Sequence, residues 1–439
     1  MSYLDNGVIR VGVDLSIGGV ITYLSRSSDS NNVINRHDLG REVQQSYYSG
    51  PTPYGVSHPA FPNWPWNPIG AGDVYGHSST VEDVTNDGTT LYVHTVPLQW
   101  ALDDVVCECD FESWITLDQN AVRIHYRLNN HRSDTTDYGA YSQELPAVYT
   151  IGRLHRLITY DGLEPFTDGP LSEPAAAPPP SWGSYSPSEN WMALVDDEGW
   201  GLGVLNASVF TFVAGFAGTP GVGGPDDDPT GYIAPVRLEV LDHNIVYEHD
   251  VTLVLGSVPE IRSYAIAHRR GDTRPDFHFD VGSPQTSRQG ISYFNASDQG
   301  LPFEGPLHID ASREDPQIIL PAGWWDAGSL PVLYVTAAFH THSDSVDIFW
   351  STPADGFAEA RRMSFPIVPD GQMRTYAFSL ANAVSYAGII TDLRIDPGDG
   401  GTSGDYVDIA SISFLPKGQR RQDVNAISRQ RVTRVVDRP

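Results

Sequence analysis

The chain has 439 residues, 40% of them hydrophobic, 11% aromatic and 19% charged, and 55 acids against 27 bases give a formal net charge of −28. That length allows two or three domains, one of them a large all-β domain, and the apolar content suffices for a packed core. All bases but one are arginine, and the single lysine, Lys417, lies near the C-terminus. Chemistry that needs an ammonium inside a folded site, such as a Schiff base or a phosphate-binding P-loop, is therefore disfavoured. An acidic chain is also a poor general partner for nucleic acid, whose phosphates call for excess Lys and Arg.

The opening MSYLDNGVIRVGVDL carries no basic segment followed by an apolar one, so no signal peptide is expected. No run of 18 apolar residues occurs, and membrane insertion is not expected. The expected locations are the cytoplasm, the outside of the cell as a processed chain, or a virion.

Period-2 alternation and turn signals dominate the chain order. Strands are expected at 8–13, 19–24, 121–128, 147–150 and 154–160. Residues 191–195 and 200–205 read as a hairpin, as do 237–241 with 245–255. The spaced glycines Gly199, Gly201 and Gly203 fall on the first hairpin's turn, which excludes a dinucleotide-binding loop. Helical periodicity is almost absent, and 33 prolines with 41 glycines between short strands fit an all-β protein. Cys107 and Cys109 form a C-x-C pair whose side chains share one strand face. A disulfide at that spacing would be strained, and no second pair completes a zinc site, so both read as small free residues.

Two long irregular stretches interrupt the strands: 49–72, stiffened by proline and rich in aromatics, and 169–190, proline-rich and linker-like. Loops of this length are usually functional or disordered. The strand pattern ends near 270 and resumes near 303. These features divide the chain into a large β-domain at 1–270, a connector at 271–302, a smaller β-domain at 303–415 and a tail at 416–439. The tail holds seven bases against two acids and reads as a solvated segment or an anchor to an acidic partner surface, with particle anchoring or a homo-oligomer as the expected assembly.

The segment GVIRVGVDLSIGGVITYL (7–24), followed by NVINRHDLGR (32–41), resembles the start of galactose-mutarotase-like β-supersandwich domains. The segments 346–350 and 391–397 and the closing strand 406–414 resemble carbohydrate-binding-module-like jelly rolls. The resemblances imply a β-supersandwich-like domain followed by a smaller β-sandwich, the recognition of glycans, and in the second domain a structural calcium for which Glu314, Asp315, Asp396 and Asp408 are the ligands to consider. No cofactor for catalysis is expected.

Three clusters suit a sugar, whose hydroxyls take planar donors and acceptors and whose C–H faces stack on aromatic rings. The first is Arg36, His37, Asp38, Arg41, Gln45, Tyr47 and Tyr48, leading into Tyr54, His58, Trp64 and Trp66. The second is Glu144 before Pro146, which with Asp38 makes the expected carboxyl pair of a glycoside hydrolase. The third comprises Arg123, His125 and Arg127 on one strand face, and Arg153 with His155 on another; with Tyr47 or Tyr48 these would instead suit a lyase acting on a uronate. His340, His342 and Asp344 are a weak metal signal, and no catalytic metal is expected. The function expected is polysaccharide binding with cleavage by a hydrolase ahead of a lyase; the alternative is a non-catalytic glycan-binding spike or fibre of a phage-like particle.

Overall fold

The computed structural model describes residues 1–179, 181–270, 273–279, 284–285, 287–398 and 402–416. The basic tail from Lys417 onward lies outside the described residues. Among the described residues the chain is an all-β, sandwich-type protein with antiparallel sheets and one α-helix.

Two large sheets form the N-terminal unit. One has ten strands, and its centre runs from Val20–Arg26 through Val43–Ser46 and Tyr141–Ile151 to Thr230–Glu239 and Phe212–Ala217. The other has eight, with Trp200–Leu205, Ile245–Ser257, Ala121–Asn130 and Cys109–Asp118 in successive positions. Alternation decides which side chains enter the space between the sheets. In Ala121–Asn130 the residues Val122, Ile124, Tyr126 and Leu128 are buried, while Arg123, His125 and Arg127 turn outward. The sheet opposite supplies Val43, Leu145, Val148 and Ile233 to the same core.

Two expectations from alternation fail here. Thr230–Glu239 pairs with Tyr141–Ile151 and Phe212–Ala217, whereas Ile245–Ser257 pairs with Ala121–Asn130 and Trp200–Leu205, so the supposed hairpin is a crossover between sheets. The helix Val258–Ala267 was also not expected. Its local signal is a capping box: the Glu260 carboxylate accepts 2.7 Å hydrogen bonds from the Ser257 N–H and hydroxyl. Ile261, Tyr264 and Ala265 then cover Trp191, Ala193 and Val195 on the outer side of the eight-stranded sheet, which is why Trp191–Val195 is buried on both faces.

Cys107 and Cys109 are joined as a disulfide, correcting the reading of free thiols. The chain bends at Glu108, just before Cys109–Asp118 begins, and brings the two Cα atoms to 5.1 Å, inside the range a disulfide spans.

The C-terminal unit is built from a six-stranded and a five-stranded sheet, with Trp350, Phe339, Ile348, Leu393 and Ile412 in its core. The stretch expected to be a connector contributes strands to it: Asp276–His278 pairs with Tyr406–Ser413, and Ser292–Phe294 with Gln317–Ile319. Short runs with proline and glycine between them hide this pairing from a period-2 search. Arg288 ties the units together. It is buried and bonds Asp242 at 2.5 Å from the N-terminal unit, and both oxygens of Asp298 from the C-terminal unit. Removing one partner of a buried ion pair leaves an uncompensated charge. Arg288→Ala should therefore cost about 3–5 kcal/mol of stability, measured by urea denaturation, with both units affected.

Candidate functional site

A register shift in the strand Tyr141–Ile151 shapes the outer face of the ten-stranded sheet. Glu144 opposes Val236 and Tyr149 opposes Tyr232, with the shift between Glu144 and Val148, where Pro146 has no N–H to give the ladder. An even and an odd position thereby reach the same face. The Tyr232 hydroxyl donates to one Glu144 oxygen, and the Tyr48 hydroxyl donates to the other at 3.3 Å. The Tyr149 and Tyr232 rings lie 4.8 Å apart.

The two long irregular stretches wall this floor. Trp64 faces Tyr48 with ring centroids 6.4 Å apart, steadied by Phe61 at 5.3 Å and by its indole N–H on Asn67 at 3.0 Å. Trp182 faces Tyr232 at 5.1 Å. The loop carrying Trp182 is held by Glu189, a buried carboxylate bonded by Nε and Nη2 of Arg262 at 3.0 and 2.8 Å and by the Trp191 indole. Arg262 belongs to the unexpected helix, so that helix positions this wall.

Burial pushes the Glu144 carboxyl pKa up, against the smaller opposing effect of the Ser46, Tyr232 and Tyr48 hydroxyls. The hydroxyls of Tyr48 and Tyr232 are pushed up as well, first by burial and then by Glu144 itself. A carboxyl with a raised pKa, set among aromatic faces, is suited to give a proton or a hydrogen bond to a ligand.

Arg41 borders the floor. Its guanidinium bonds Asp38 at 3.1 Å, the Asp228 carboxylate at 2.9 Å and the Asp228 carbonyl. Arg36 forks onto Asp226 at 2.9 and 3.3 Å, and His37 Nδ1 donates to the Asp226 carbonyl at 2.9 Å. Arg36, His37, Asp38 and Arg41 thus clamp the 35–41 loop to the 226–228 loop. Burial pushes the Tyr149 hydroxyl up first, and the charges of Glu144, Asp38, Arg41 and Glu42 then act on it, so all four lie within its electrostatic reach.

Other expected residues lie elsewhere. Tyr47 and Gln45 point into the sandwich: the Tyr47 hydroxyl donates to Gln45 Oε1 at 2.8 Å and meets His249 Nε2 at 3.3 Å, and the Gln45 amide reaches the Glu112 carbonyl and Ser113 hydroxyl. Trp66 is 1% exposed, with the Arg132 guanidinium 5.9 Å from its ring, and is core. His58 meets the edge of Tyr75 at 4.9 Å in the outer part of the 49–72 stretch. His125 and Arg127 occupy the outer face of the other sheet, where His125 pairs with Asp250 at 2.9 Å and Arg127 with Glu112 at 3.0 Å and Glu248 at 2.7 Å beside Trp114. Arg153 is exposed at a turn, and His155 lies 3.5 Å from Asp197. These four do not join the Glu144 face. Ser46, Tyr149, Trp182 and Tyr232 were missed, as was Glu42, a fully buried acid whose pKa burial pushes well up. Only the bulge-prone Leu145–Pro146 step could have pointed to Tyr149.

The acids considered for calcium do not converge. Asp408 bonds His308 at 2.7 Å, Asp396 bonds Arg394 at 2.6 Å, Asp315 takes the Gln317 amide, and Glu314 engages Asn295 through its carbonyl. His342 bonds Asp405 at 2.6 Å while His340 stacks on Tyr406. Among the described residues, Asp73, His77 and Asp103 are the group whose ligand atoms approach one another. The buried Asp73 carboxylate there already accepts the N–H groups of Tyr75, His77 and Asp104 and bonds His77 Nδ1 at 2.8 Å, the pattern of a turn.

No protein-family model and no curated protein matches the chain. Solved structures similar to its N-terminal part include a galactose mutarotase related enzyme from Lactobacillus acidophilus, 12% identical over 58% of this chain and 97% of that one, with a TM-score of 0.36. A galactose mutarotase-like protein from Lactobacillus casei is 11% identical over 58% and 99%, with a TM-score of 0.35. A GH36 alpha-galactosidase from Geobacillus stearothermophilus is 12% identical over 58% and 40%, with a TM-score of 0.33.

Two measurements check these electrostatics. Tyr232→Phe removes a donor that favours the carboxylate, so the Glu144 pKa should rise further in a carbon-13 NMR titration of the glutamate carboxyls. His249 is buried and its pKa is driven down to about 3, chiefly by desolvation and then by Arg237. Its unfolded value is about 6.5, so the unfolded chain binds the extra proton between those values. Stability should fall by about 1.4 kcal/mol for each pH unit of acidification across that window, and His249→Gln should flatten this slope.

Proposed function

We propose that this is a carbohydrate-active protein that binds a polysaccharide over the outer face of the ten-stranded sheet and hydrolyses it there, with Glu144 as general acid. One observation carries the reading: Trp64 and Trp182, from two separate irregular segments, face a floor of tyrosines that holds a carboxyl pushed toward its protonated form. Aromatic walls suit the C–H faces of sugar rings, and tyrosine hydroxyls suit their oxygens. A protonated Glu144 can give its proton to a glycosidic oxygen as that bond breaks. The chain's acidity leaves neutral glycans as the favoured substrates and disfavours strongly anionic polymers.

Hydrolysis pairs the acid with a second carboxyl, which works either as a nucleophile or as the base that activates water. Asp38 takes that role in this reading, held in place by the 3.1 Å bond from Arg41. That same bond favours a second reading, in which Asp38 is structural, the groove captures a glycan without cleaving it, and Glu144 only hydrogen-bonds the ligand.

A panel of neutral polysaccharides, assayed for new reducing ends and for retention in affinity electrophoresis, separates the two readings. Glu144→Gln should lower cleavage by about 10²–10⁴-fold and keep retention. Trp64→Ala and Trp182→Ala should each weaken retention by about 0.5–1.5 kcal/mol. Retention without cleavage by the parent protein selects the capture reading, and neither retention nor cleavage across the panel overturns both. A uronate-containing polysaccharide added to the panel tests for a lyase, whose unsaturated product absorbs in the ultraviolet.

A further inference from the structure

The Glu144 face does not stop at Glu144. Val236 stands opposite Glu144 across the ladder, and Ser142 is two residues before it. Directly paired side chains are about 5 Å apart and a two-residue step along a strand is about 7 Å. Both Ser142 and Val236 also line a cleft of 280 Å³ where the C-terminal unit meets this sheet. Small-molecule sites begin at about this size, roughly 300 Å³.

Both units furnish polar groups to the cleft. Asp392 comes from the C-terminal unit, at the start of the strand Asp392–Asp396. Arg237 lines the cleft from the strand Thr230–Glu239, while its guanidinium turns inward to Glu239 at 2.5 Å and the Tyr247 hydroxyl at 3.1 Å. Ser208 and Thr211 add hydroxyls from the loop ahead of Phe212–Ala217, and the rest of the wall, including Leu320, is largely apolar. A carboxyl and hydroxyls set in apolar walls match a sugar ring, with its equatorial hydroxyls and hydrophobic faces. Burial pushes the Asp392 carboxyl pKa up, in the same direction as that of Glu144.

We propose that the cleft between the two units is a further sugar subsite, continuous with the groove at Glu144, which seats the next unit of the bound glycan between Asp392 and the hydroxyl-bearing Ser208 and Thr211. This rests on the glycan reading of the groove and adds the C-terminal unit as part of the binding site. The subsite makes affinity depend on chain length: a glycan long enough to pass Glu144 and enter the cleft gains contacts that a disaccharide lacks.

The test uses the full chain and size ladders of neutral oligosaccharides, from two to eight units, of maltose, cellobiose and galactomannan origin, titrated by calorimetry. Oligosaccharides of five or more units should bind at least about tenfold more tightly than the disaccharide. Ser208→Trp, which fills the cleft, should erase that gain and leave disaccharide affinity unchanged. Asp392→Asn, which keeps the shape, should reduce the gain severalfold and guards against a folding defect in the tryptophan variant. Glu144-face binding that is weakened in Trp64→Ala but shows no length dependence, or no response to either cleft variant, overturns the subsite and leaves the groove reading standing. Absence of binding by any member of the three ladders overturns both.

Discussion

The antiparallel pairing of Tyr141–Ile151 with Thr230–Glu239 is the constraint on which the rest of the molecule depends. On one side these strands send Leu145, Val148 and Ile233 into the core shared with the eight-stranded sheet. On the other, the register shift after Glu144 delivers Glu144 and Tyr149 to a common face with Tyr232. An unbroken ladder would put residues 144 and 149 on opposite faces. The same irregularity thus allows both an apolar core and a polar, aromatic floor from one strand.

Around that floor the molecule spends its long loops. The 49–72 stretch anchors itself in the interior with Trp66 and presents Trp64 to Tyr48. The 169–190 stretch is pinned through Glu189 to Arg262 on the helix and presents Trp182 to Tyr232. Buried ion pairs are poor sources of net stability but strong at fixing one arrangement, because each charge is costly if left alone. Glu189–Arg262 fixes a wall, Arg288 with Asp242 and Asp298 fixes the meeting of the two units, and both arrangements border the surface on which the proposed function rests.

The sandwich interior also holds a polar cluster, Gln45, Tyr47, Tyr247 and His249, that takes no part in the outer face. It resembles a binding site in composition, and in sequence Gln45 and Tyr47 sit beside Tyr48, which does reach the floor. A single step along the strand separates a core residue from a surface one. The outer face of the eight-stranded sheet is likewise rich in His, Arg and acid, yet its members satisfy one another across the strands. Composition selected all three places alike; only the direction of each side chain and the identity of its partners distinguish them.

The sequence by itself determined the all-β class and the strands with clean alternation, and it placed Tyr48, Trp64 and Glu144 among the candidate residues. These follow from local rules: period-2 burial, turn residues and composition act over a few residues. The tertiary structure alone decided that the 237–241 and 245–255 runs belong to different sheets, that Asp276–His278 and Ser292–Phe294 add strands to the second unit, that Cys107 and Cys109 meet, and that Tyr149, Trp182 and Tyr232 gather over Glu144. Each of these depends on a bend, a bulge or a contact between residues far apart in the chain, and side-chain proximity of that kind is set by packing and register, which no local pattern encodes.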